Sequence, residues 1–394
     1  MEGVRKQDMV ASTLTDRLPG WLAGESPDGA EAVCCQCSLA RNLSDFPFPA
    51  RCTDDEKRAI EARITSVLDG LSLFSTGRYY SLPELSSREV RFLAERRLVT
   101  YELMCARGPR GVYVSEDQSL SIMVNGLEHL CLRAIKPGVQ LQEAWAQLNL
   151  LDDTLRGMLD VAFDDRLGFL TCALNNVGTG LKSSALLHLP ALAMANRIAE
   201  RAELAAAHHL VLRGVRIGGV EERPPRSVSL FDAPLDHVSD EALYTDMEGA
   251  LGSPVNETQG DLFLLVNRGT LGLSEEELVF QVRQAALDLI TLEHEVRAVL
   301  LKDSPRALED QSGRARGIAG GARLLSFSEG LGLLSSLRLG IGTGVLSGFA
   351  LSRVNELLLA SQGAHLEMAK GRKCDPLALS VERADLFRRI VAAS

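Results

Sequence analysis

The chain has 394 residues, of which 46% are hydrophobic and 24% are charged, a composition typical of soluble globular proteins. Its formal net charge of -10 argues against non-specific binding to nucleic acid or to an anionic membrane. No apolar run approaches the roughly 18 residues of a membrane span, and the N-terminus has no apolar core of the signal-peptide type.

Eight cysteines are scattered through a chain without a signal sequence, which favours free thiols in a reducing cytoplasm. Cys34, Cys35 and Cys37 stand close together, but a zinc site needs further ligands at finger spacing and none lies nearby. We therefore prefer a partly buried strand and predict no metal site. Residues 1–30 predict a loosely ordered segment with Trp21 as its only large anchor.

Helical and strand patterns alternate in the next part of the chain. Thr53 and Glu56 form a capping box, and the apolar residues that follow recur at helical spacing. Strands are predicted at 78–82, 111–115, 120–124 and 129–133, and an amphipathic helix at 139–163. Asn125 and Gly126, before an apolar alternation, predict a hairpin.

The stretch 168–190 carries the most information. Its first apolar run, 168–174, predicts a buried strand. The residues that follow include Asn176, Gly178 and Gly180. They predict a tight turn, because glycine alone enters positive φ at little cost.

We predict a helix after this turn, capped by Ser183 or Ser184. Its N-terminus would present free N–H groups, and Lys182 adds a positive charge beside them, so the combination suits a phosphate. The alternative is an ordinary strand–turn–helix junction with a solvated Lys182, since short glycine motifs have many false positives.

The remaining pattern completes an α+β fold. It predicts a helix at 185–206, strands at 208–213 and 261–267, a long helix that a capping box at Ser274 opens, and a last helix near 381–391. Residues 218–260 are rich in proline and acidic residues and predict a mobile or partly helical insertion. The predicted units are an N-terminal segment at 1–30, an antiparallel sheet flanked by helices at 31–302, and a helical C-terminal domain at 303–394.

Several sequence blocks match one family in the same order. They are 39–43, 124–129, 176–182, 188–192, 212–214, 260–263, 270–276 and 338–342. On these blocks the chain resembles the ATP:guanidino phosphotransferases, and within them it is most similar to the bacterial protein arginine kinases. The resemblance covers nearly the whole chain and implies a guanidino-kinase-like sheet domain.

Phosphoryl transfer to a guanidinium group has defined chemical needs. Arg, Lys and Mg²⁺ must neutralise the triphosphate, and a carboxylate must orient the guanidinium and take its proton. The resemblance implies nucleotide-binding roles for Lys182, Ser183, Ser184, Arg213 and Gly214. Lys182 stands where the family has an arginine, and an ammonium group cannot form a bidentate fork.

The family's carboxylate segment reads Asn, two Glu, Asp and His. The corresponding residues of this chain are Asn125, Gly126, Leu127, Glu128 and His129. Both glutamates are replaced, so the resemblance leaves Glu128 as the catalytic candidate. The residues implied to position the substrate are Asn125, His129, Asn176, Gly178 and Gly180.

Other family positions are also changed. Gln36 and Ser38 stand at clamp arginine positions, and Cys131 replaces a phosphate-binding arginine. The reactive-cysteine position holds Ala173, with Cys172 one residue earlier, and on a strand this shift would turn the thiol to the opposite face. In the family's C-terminal phosphoarginine motif two of the three arginines are replaced, one of them by Glu382, while Arg383 remains, and an added acid weakens a pocket for a dianion.

The resemblance implies an enzyme that uses ATP and Mg²⁺ to phosphorylate arginine side chains of proteins. It also implies a zinc-containing activator, the Clp protease system, a homodimer and a cytoplasmic location. The substitutions favour an alternative, a catalytically impaired pseudokinase that acts as a scaffold or regulator in protein quality control. A surface-interaction role for 218–260 is a third possibility.

Overall fold

The computed structural model describes residues 10, 14–15, 17–23, 26, 28–71, 76–215, 252–253 and 258–392. The strands are β1 (Ala32–Arg41), β2 (Arg78–Ser81), β3 (Gly111–Val114), β4 (Leu120–Val124), β5 (Leu130–Pro137), β6 (Phe163–Asp164), β7 (Gly168–Phe169), β8 (Leu181–His188), β9 (Leu210–Val215), β10 (Gly252–Ser253) and β11 (Leu262–Asn267). The helices are α1 (Gly20–Ala23), α2 (Asp54–Asp69), α3 (Ser87–Glu95), α4 (Tyr101–Cys105), α5 (Leu141–Arg156), α6 (Pro190–Met194), α7 (Ile198–Ala207), α8 (Glu275–Asp303), α9 (Pro305–Gly321), α10 (Phe327–Gly342), α11 (Leu351–Ala360), α12 (Gly363–Lys370) and α13 (Pro376–Ala392). In these ranges we find no helix with the length and apolar character of a membrane span.

One antiparallel sheet organises the fold. Among the described residues it has nine strands in the order β10-β9-β11-β8-β1-β5-β4-β3-β2. β1 lies at the centre, between β5 and β8, and all of its residues are buried. Cys34, Cys35 and Cys37 therefore belong to a central strand that is covered on both faces, more deeply buried than the sequence predicts.

One face of the sheet packs against helices to form the main core. Strand residues such as Leu39, Leu132 and Leu187 cluster there with Ile64 of α2 and Leu148 of α5. Burying one such side chain contributes about 1.5–3 kcal/mol, so this face supplies much of the stability of the sheet domain.

The opposite face is divided between apolar and polar side chains. Cys34, Leu186 and Leu264 cluster with Leu334 of α10 and Phe387 of α13, so the C-terminal helices cover one part of this face. Farther along the same strands the side chains become polar, and the candidate site lies there.

Local sequence signals place several elements correctly. The capping boxes at Thr53 and Ser274 open α2 and α8. Asn125 adopts a φ of 58° between β4 and β5, which confirms the predicted hairpin. α8 ends at Asp303, and Pro305 takes the first turn of α9, where its missing N–H costs nothing.

The element after the glycine turn differs from the prediction. Residues 181–188 form β8, which pairs with β1 on one side and β11 on the other, so there is no helix that Ser183 or Ser184 caps. The predicted strand 168–174 is reduced to Gly168–Phe169, and a 3-10 turn follows at Leu174–Asn176. Pairing with two strands distant in sequence overrides the local preference of serine for helix caps.

Two further predictions need correction. The helix at 185–206 is two short helices, α6 and α7, and Pro190 starts the first. The strand at 208–213 begins at Leu210, because His209 adopts a left-handed φ of 57°. In the segment 1–30, Trp21 is 5% exposed and belongs to the apolar cluster of Cys34, Leu186 and Leu334, which agrees with its predicted role as an anchor. The loose order of the segment stays a prediction, because many of its residues lie outside the described ranges. The insertion 218–260 lies outside the described residues except for 252–253 and 258–260.

Candidate functional site

A row of polar side chains crosses four neighbouring strands on the face that is partly covered by the C-terminal helices. Ser121 lies opposite Arg133, Arg133 opposite Ser38, and Ser38 opposite Lys182. We call these four residues the polar row. All four are at most 6% exposed, and opposed residues of an antiparallel pair have Cβ atoms about 5 Å apart. The row therefore gathers polar groups inside the protein.

Several polar atoms in and beside the polar row have no hydrogen-bond partner among the described residues. They are Nε of Arg133, Oγ of Ser121, Oγ of Ser184 and Nε of Arg213. Another guanidinium nitrogen of Arg133 donates to the carbonyl of Arg97 at 3.0 Å. A buried donor without a partner is costly, so this face is suited to a ligand that brings acceptor oxygens.

Lys182 is buried, which excludes the solvated position that the sequence left open. Its Nζ donates to the carbonyl oxygens of Arg268 at 2.9 Å and Asn267 at 3.4 Å. No helix begins beside it, so its charge acts without the help of a helix N-terminus. The ammonium group lies where β8 meets the end of β11.

Ser183 and Ser184 point to opposite faces of the sheet because they are neighbours on a strand. Ser184 lies opposite Gln36, on the face of the polar row. Ser183 lies near the thiol of Cys37, at 3.9 Å, and its N–H donates to the Asn267 side chain at 2.7 Å. Ser183 is therefore separated from the other candidate nucleotide-binding residues.

Arg213 shares the face of Lys182 but lies at a distance from it. Leu264 of β11 lies opposite Arg213 of β9 on one side and Leu186 of β8 on the other, so Arg213 is level with Leu186. Leu186 is four residues after Lys182, which separates the two levels by about 13 Å along the strand. Gly214 follows Arg213 and pairs with β11 through its backbone. Arg213 and Lys182 therefore do not converge on a single phosphate group.

The hairpin between β4 and β5 is held by side-chain hydrogen bonds to the segments around it. The Asn125 amide donates to the carbonyls of Lys57 at 2.9 Å and Pro109 at 3.0 Å. His129 accepts at Nδ1 from the N–H of Leu43 at 3.0 Å, and burial lowers the pKa of His129 to about 4. Both residues thus fix the hairpin, and His129 is neutral near pH 7.

Glu128 is buried at the tip of this hairpin. Its carboxylate accepts hydrogen bonds from the N–H of Cys172 at 2.9 and 3.0 Å and from the Asn42 amide. Burial raises the pKa of Glu128, although these donors act in the opposite direction. Burial and the neighbouring Glu128 also raise the pKa of the Cys172 thiol, which stays protonated near neutral pH. Cys172 lies in a loop, so the strand-face argument for its thiol does not apply.

The glycine turn requires its glycines. Gly178 has a φ of 115°, and a Cβ there would lie 2.5 Å from the Thr270 carbonyl oxygen. Gly180 has a φ of 67°, and a Cβ there would lie 2.7 Å from the Ala40 carbonyl oxygen. Asn176, just before, is fully buried. These residues shape the loop between Cys172 and the start of β8.

Arg41 secures this turn from the other side. It forms a bidentate salt bridge with Asp152, at 3.0 and 2.8 Å, donates to the Thr179 carbonyl at 2.8 Å, and stacks on the ring of Phe169. The family resemblance did not indicate Asp152 and Phe169. An acid on the apolar face of α5, next to Leu151, is a signal that could have indicated Asp152.

The order of the antiparallel strands brings some of the candidate site residues to one end of the sheet. β1 ends at Arg41, β5 begins at Leu130 and β8 begins at Leu181, and these residues meet at one end of the sheet. Glu128, the glycine turn and Lys182 therefore share this end, whereas Arg213 lies farther away.

The arginine of the C-terminal motif has a structural position. Arg383 is 2% exposed and donates to the carbonyls of Ser361 at 2.7 Å and Leu325 at 3.1 Å. Its neighbour Glu382 forms a salt bridge with Lys370 at 2.7 Å. These contacts join α13 to the helices beside it.

Comparison with known proteins agrees with this architecture. Residues 59–223 match the family described as ATP:guanido phosphotransferase, C-terminal catalytic domain, and residues 305–394 match the protein-arginine kinase McsB C-terminal domain. The protein-arginine kinase of Moorella thermoacetica is 32% identical over 96% of this chain and 98% of its own length. The protein-arginine kinase of Symbiobacterium thermophilum is 32% identical over 95% of this chain and 96% of its own length.

Solved structures share the fold. The duplicated taurocyamine kinase of Schistosoma mansoni aligns with a TM-score of 0.54 at 20% identity, over 74% of this chain and 39% of its own. A lombricine kinase aligns with a TM-score of 0.52 at 19% identity, over 72% of this chain and 71% of its own. With relatives similar over nearly their full length, the chain belongs to the ATP:guanido phosphotransferase family, in the group of the protein-arginine kinases.

Proposed function

We propose that this protein transfers the γ-phosphoryl group of ATP to arginine side chains of proteins. The observation that carries the proposal is the polar row, where Arg133, Ser38 and Lys182 lie side by side with unpaired donors around them. The names of the relatives from Moorella thermoacetica and Symbiobacterium thermophilum, both protein-arginine kinases, support the same reaction.

The unpaired donors fit a nucleotide triphosphate. Arg133 and Ser184 would donate to phosphate oxygens, Lys182 would add its charge, and Arg213 would reach a more distant part of the nucleotide. Mg²⁺ would neutralise the phosphates and is usually held by one or two carboxylates together with phosphates and water. In the part of the chain that the structure describes, no group of three or more His, Cys, Asp or Glu could hold a metal by itself.

Glu128 is our candidate for the base. Its raised pKa brings it closer to neutral pH, where proton transfer from a guanidinium is most effective. Asn125, His129 and the turn residues Asn176, Gly178 and Gly180 would position it, because they fix the hairpin and the loop that hold its carboxylate. To act, Glu128 must give up at least one of its hydrogen bonds.

A second candidate function is nucleotide binding without efficient transfer, as in a pseudokinase that regulates a partner. Gln36 and Ser38 place neutral groups on β1 where the family resemblance implies arginines. The salt bridge of Arg41 with Asp152 neutralises the Arg41 charge, so this charge does not act on a phosphate. With fewer positive charges free, less of the transition-state charge is stabilised.

A radiolabelled-ATP transfer assay with an unfolded, arginine-rich protein separates these functions. We expect acid-labile label on arginine that requires Mg²⁺. Saturable binding of Mg-ATP in calorimetry without any transferred label would support the second function. Absence of both would contradict the proposal and its alternative.

Family resemblance extends the proposal to partners. A zinc-containing activator, the Clp protease system, a homodimer and a cytoplasmic location all belong to it. Light scattering on the purified chain tests the dimer, and co-purification with each expected partner tests the others. A monomer at micromolar concentration would remove the dimer from the proposal.

A further inference from the structure

A cavity lies between the sheet and the C-terminal helices, beyond the polar row. Its apolar walls are formed by Val33, Leu186, Leu262, Ala94 and Leu358. Its volume is about 80 Å³, several times the roughly 10–15 Å³ that one water molecule needs, so it has room for a small ligand. Neither the polar row nor Glu128 contributes to its lining.

Trp21 lines this cavity and supplies a free donor. The residue is only 5% exposed, yet its indole N–H has no hydrogen-bond partner among the described residues. Buried indole groups normally find a partner. An acceptor that binds beside Trp21 would therefore gain a hydrogen bond from a donor that is otherwise buried without one.

Arg97 brings an unpaired charge to the same cavity. Its side chain is half-buried and has no hydrogen bond or ion pair with any residue in the described ranges. Its backbone has a φ of 62°, at the position after α3 where Leu98 donates back to Leu93 at 3.0 Å. Glycine is the usual residue at such a helix end, so the fold does not require arginine here.

The other charged group of the lining, Glu95, is already paired. Its carboxylate accepts hydrogen bonds from the N–H groups of Ala364 at 2.8 Å and His365 at 3.0 Å, and from His365 Nδ1 at 2.6 Å. The positive end of the α12 dipole offsets its charge. Of the two charged residues of the lining, Arg97 is therefore the one without an opposite charge or hydrogen-bond partner among the described residues.

We propose that this cavity binds a small amphipathic carboxylate. Its apolar chain would lie against Val33, Leu186 and Leu358, and its carboxylate would accept from the Arg97 guanidinium and the Trp21 indole. Because Glu95 holds α12 and the Arg97 carbonyl holds Arg133, such a ligand would contact residues tied to both the C-terminal helices and the polar row.

Hexanoate is a suitable probe, with hexylammonium and hexanol as matched controls for charge. Calorimetry on the full chain is expected to show saturable binding of hexanoate, at least about tenfold tighter than either control. In a Trp145→Phe variant Trp21 is the only tryptophan, so its emission should change with the same saturation curve. Equal binding of hexylammonium, or no saturable binding, would overturn the proposal.

Two substitutions of Arg97 separate binding from folding. Arg97→Gln keeps a side chain but removes the charge, and Arg97→Gly also relieves the left-handed backbone. Both are expected to weaken hexanoate about tenfold or more, while Arg97→Gly melts no lower than the parent. Unchanged hexanoate affinity in both variants would show adventitious apolar binding and contradict the site.

Discussion

Two buried polar clusters of this protein differ in how their charges are paired. The charged junction, formed by Glu31, Glu293 and Arg297, lies where the start of β1 meets α8. Arg297 donates to Glu293 at 2.8 Å and also to Glu31. In the polar row, Arg133 is equally buried but has no carboxylate partner among the described residues.

This difference distinguishes a structural cluster from a binding site. A buried charge is stabilised when opposite charges lie beside it, and the junction supplies two carboxylates, although the Nη2 of Arg297 also has no partner among the described residues. Arg133 has only the Arg97 carbonyl and leaves its Nε unpaired. The polar row is thus incomplete by itself, and an anionic ligand would complete it.

The largest expected effect comes from breaking the charged junction. Glu293→Ala leaves Arg297 with one fewer carboxylate and also removes the acceptor for the N–H groups of Ala191 and Leu192. We expect a loss of about 3–5 kcal/mol in the free energy of unfolding, measured by chemical denaturation. The exposed Glu295→Ala is the matched control and should change stability little. Equal, small effects would show that the junction contributes nothing.

Glu128 is an intermediate case, a buried carboxylate that neutral donors hold without a cation. If it is the base of the proposed reaction, Glu128→Gln lowers kcat by about 10²–10⁴-fold with little change in the KM for ATP. Glu143→Gln, on the exposed side of α5, serves as the control. An unchanged rate in a folded Glu128→Gln protein would remove Glu128 from the chemistry.

The sequence predicted elements with strong local signals. Capping boxes at Thr53 and Ser274 and the hairpin at Asn125 are decided by neighbouring residues, and all three are present. The β8 strand was missed because Ser183 and Ser184 favour a helix cap locally. Its strand conformation comes from β1 and β11, and no local pattern carries that information.

The sequence indicated which residues belong to the candidate site, but not which contacts those residues make. The family resemblance selected Lys182 and Glu128, but the partners that decide their availability are distant in sequence. Arg41 meets Asp152 across 111 positions, and Glu128 meets Cys172 across 44. The polar row was not visible as a unit, because it depends on the register of four strands.

Protonation of His129 tests the hairpin that carries Glu128. The pKa of His129 is lowered to about 4, below its unfolded value, so the stability it contributes is present at neutral pH and is lost as pH falls from about 6.5 towards 4. The loss is about 2–3 kcal/mol. His129→Asn keeps an acceptor for the Leu43 N–H and does not titrate, so its unfolding free energy should vary less over this range. Parallel pH curves for both proteins would contradict this assignment.

The smallest stability effect is expected at Arg133. Substitution of Arg133 tests directly whether the polar row is a binding site or a structural cluster like the charged junction. Arg133→Met removes a buried charge that has no carboxylate partner, so the free energy of unfolding should change by no more than about 1 kcal/mol or should increase. Binding of Mg-ATP should weaken about tenfold, because a charged hydrogen bond to phosphate is lost. Arg166→Met, in the exposed loop between β6 and β7, is the control for loss of charge. A drop of several kcal/mol with unchanged nucleotide binding would instead give Arg133 the structural role of Arg297, because a buried cation that stabilises the fold cannot be removed from the free protein at so little cost.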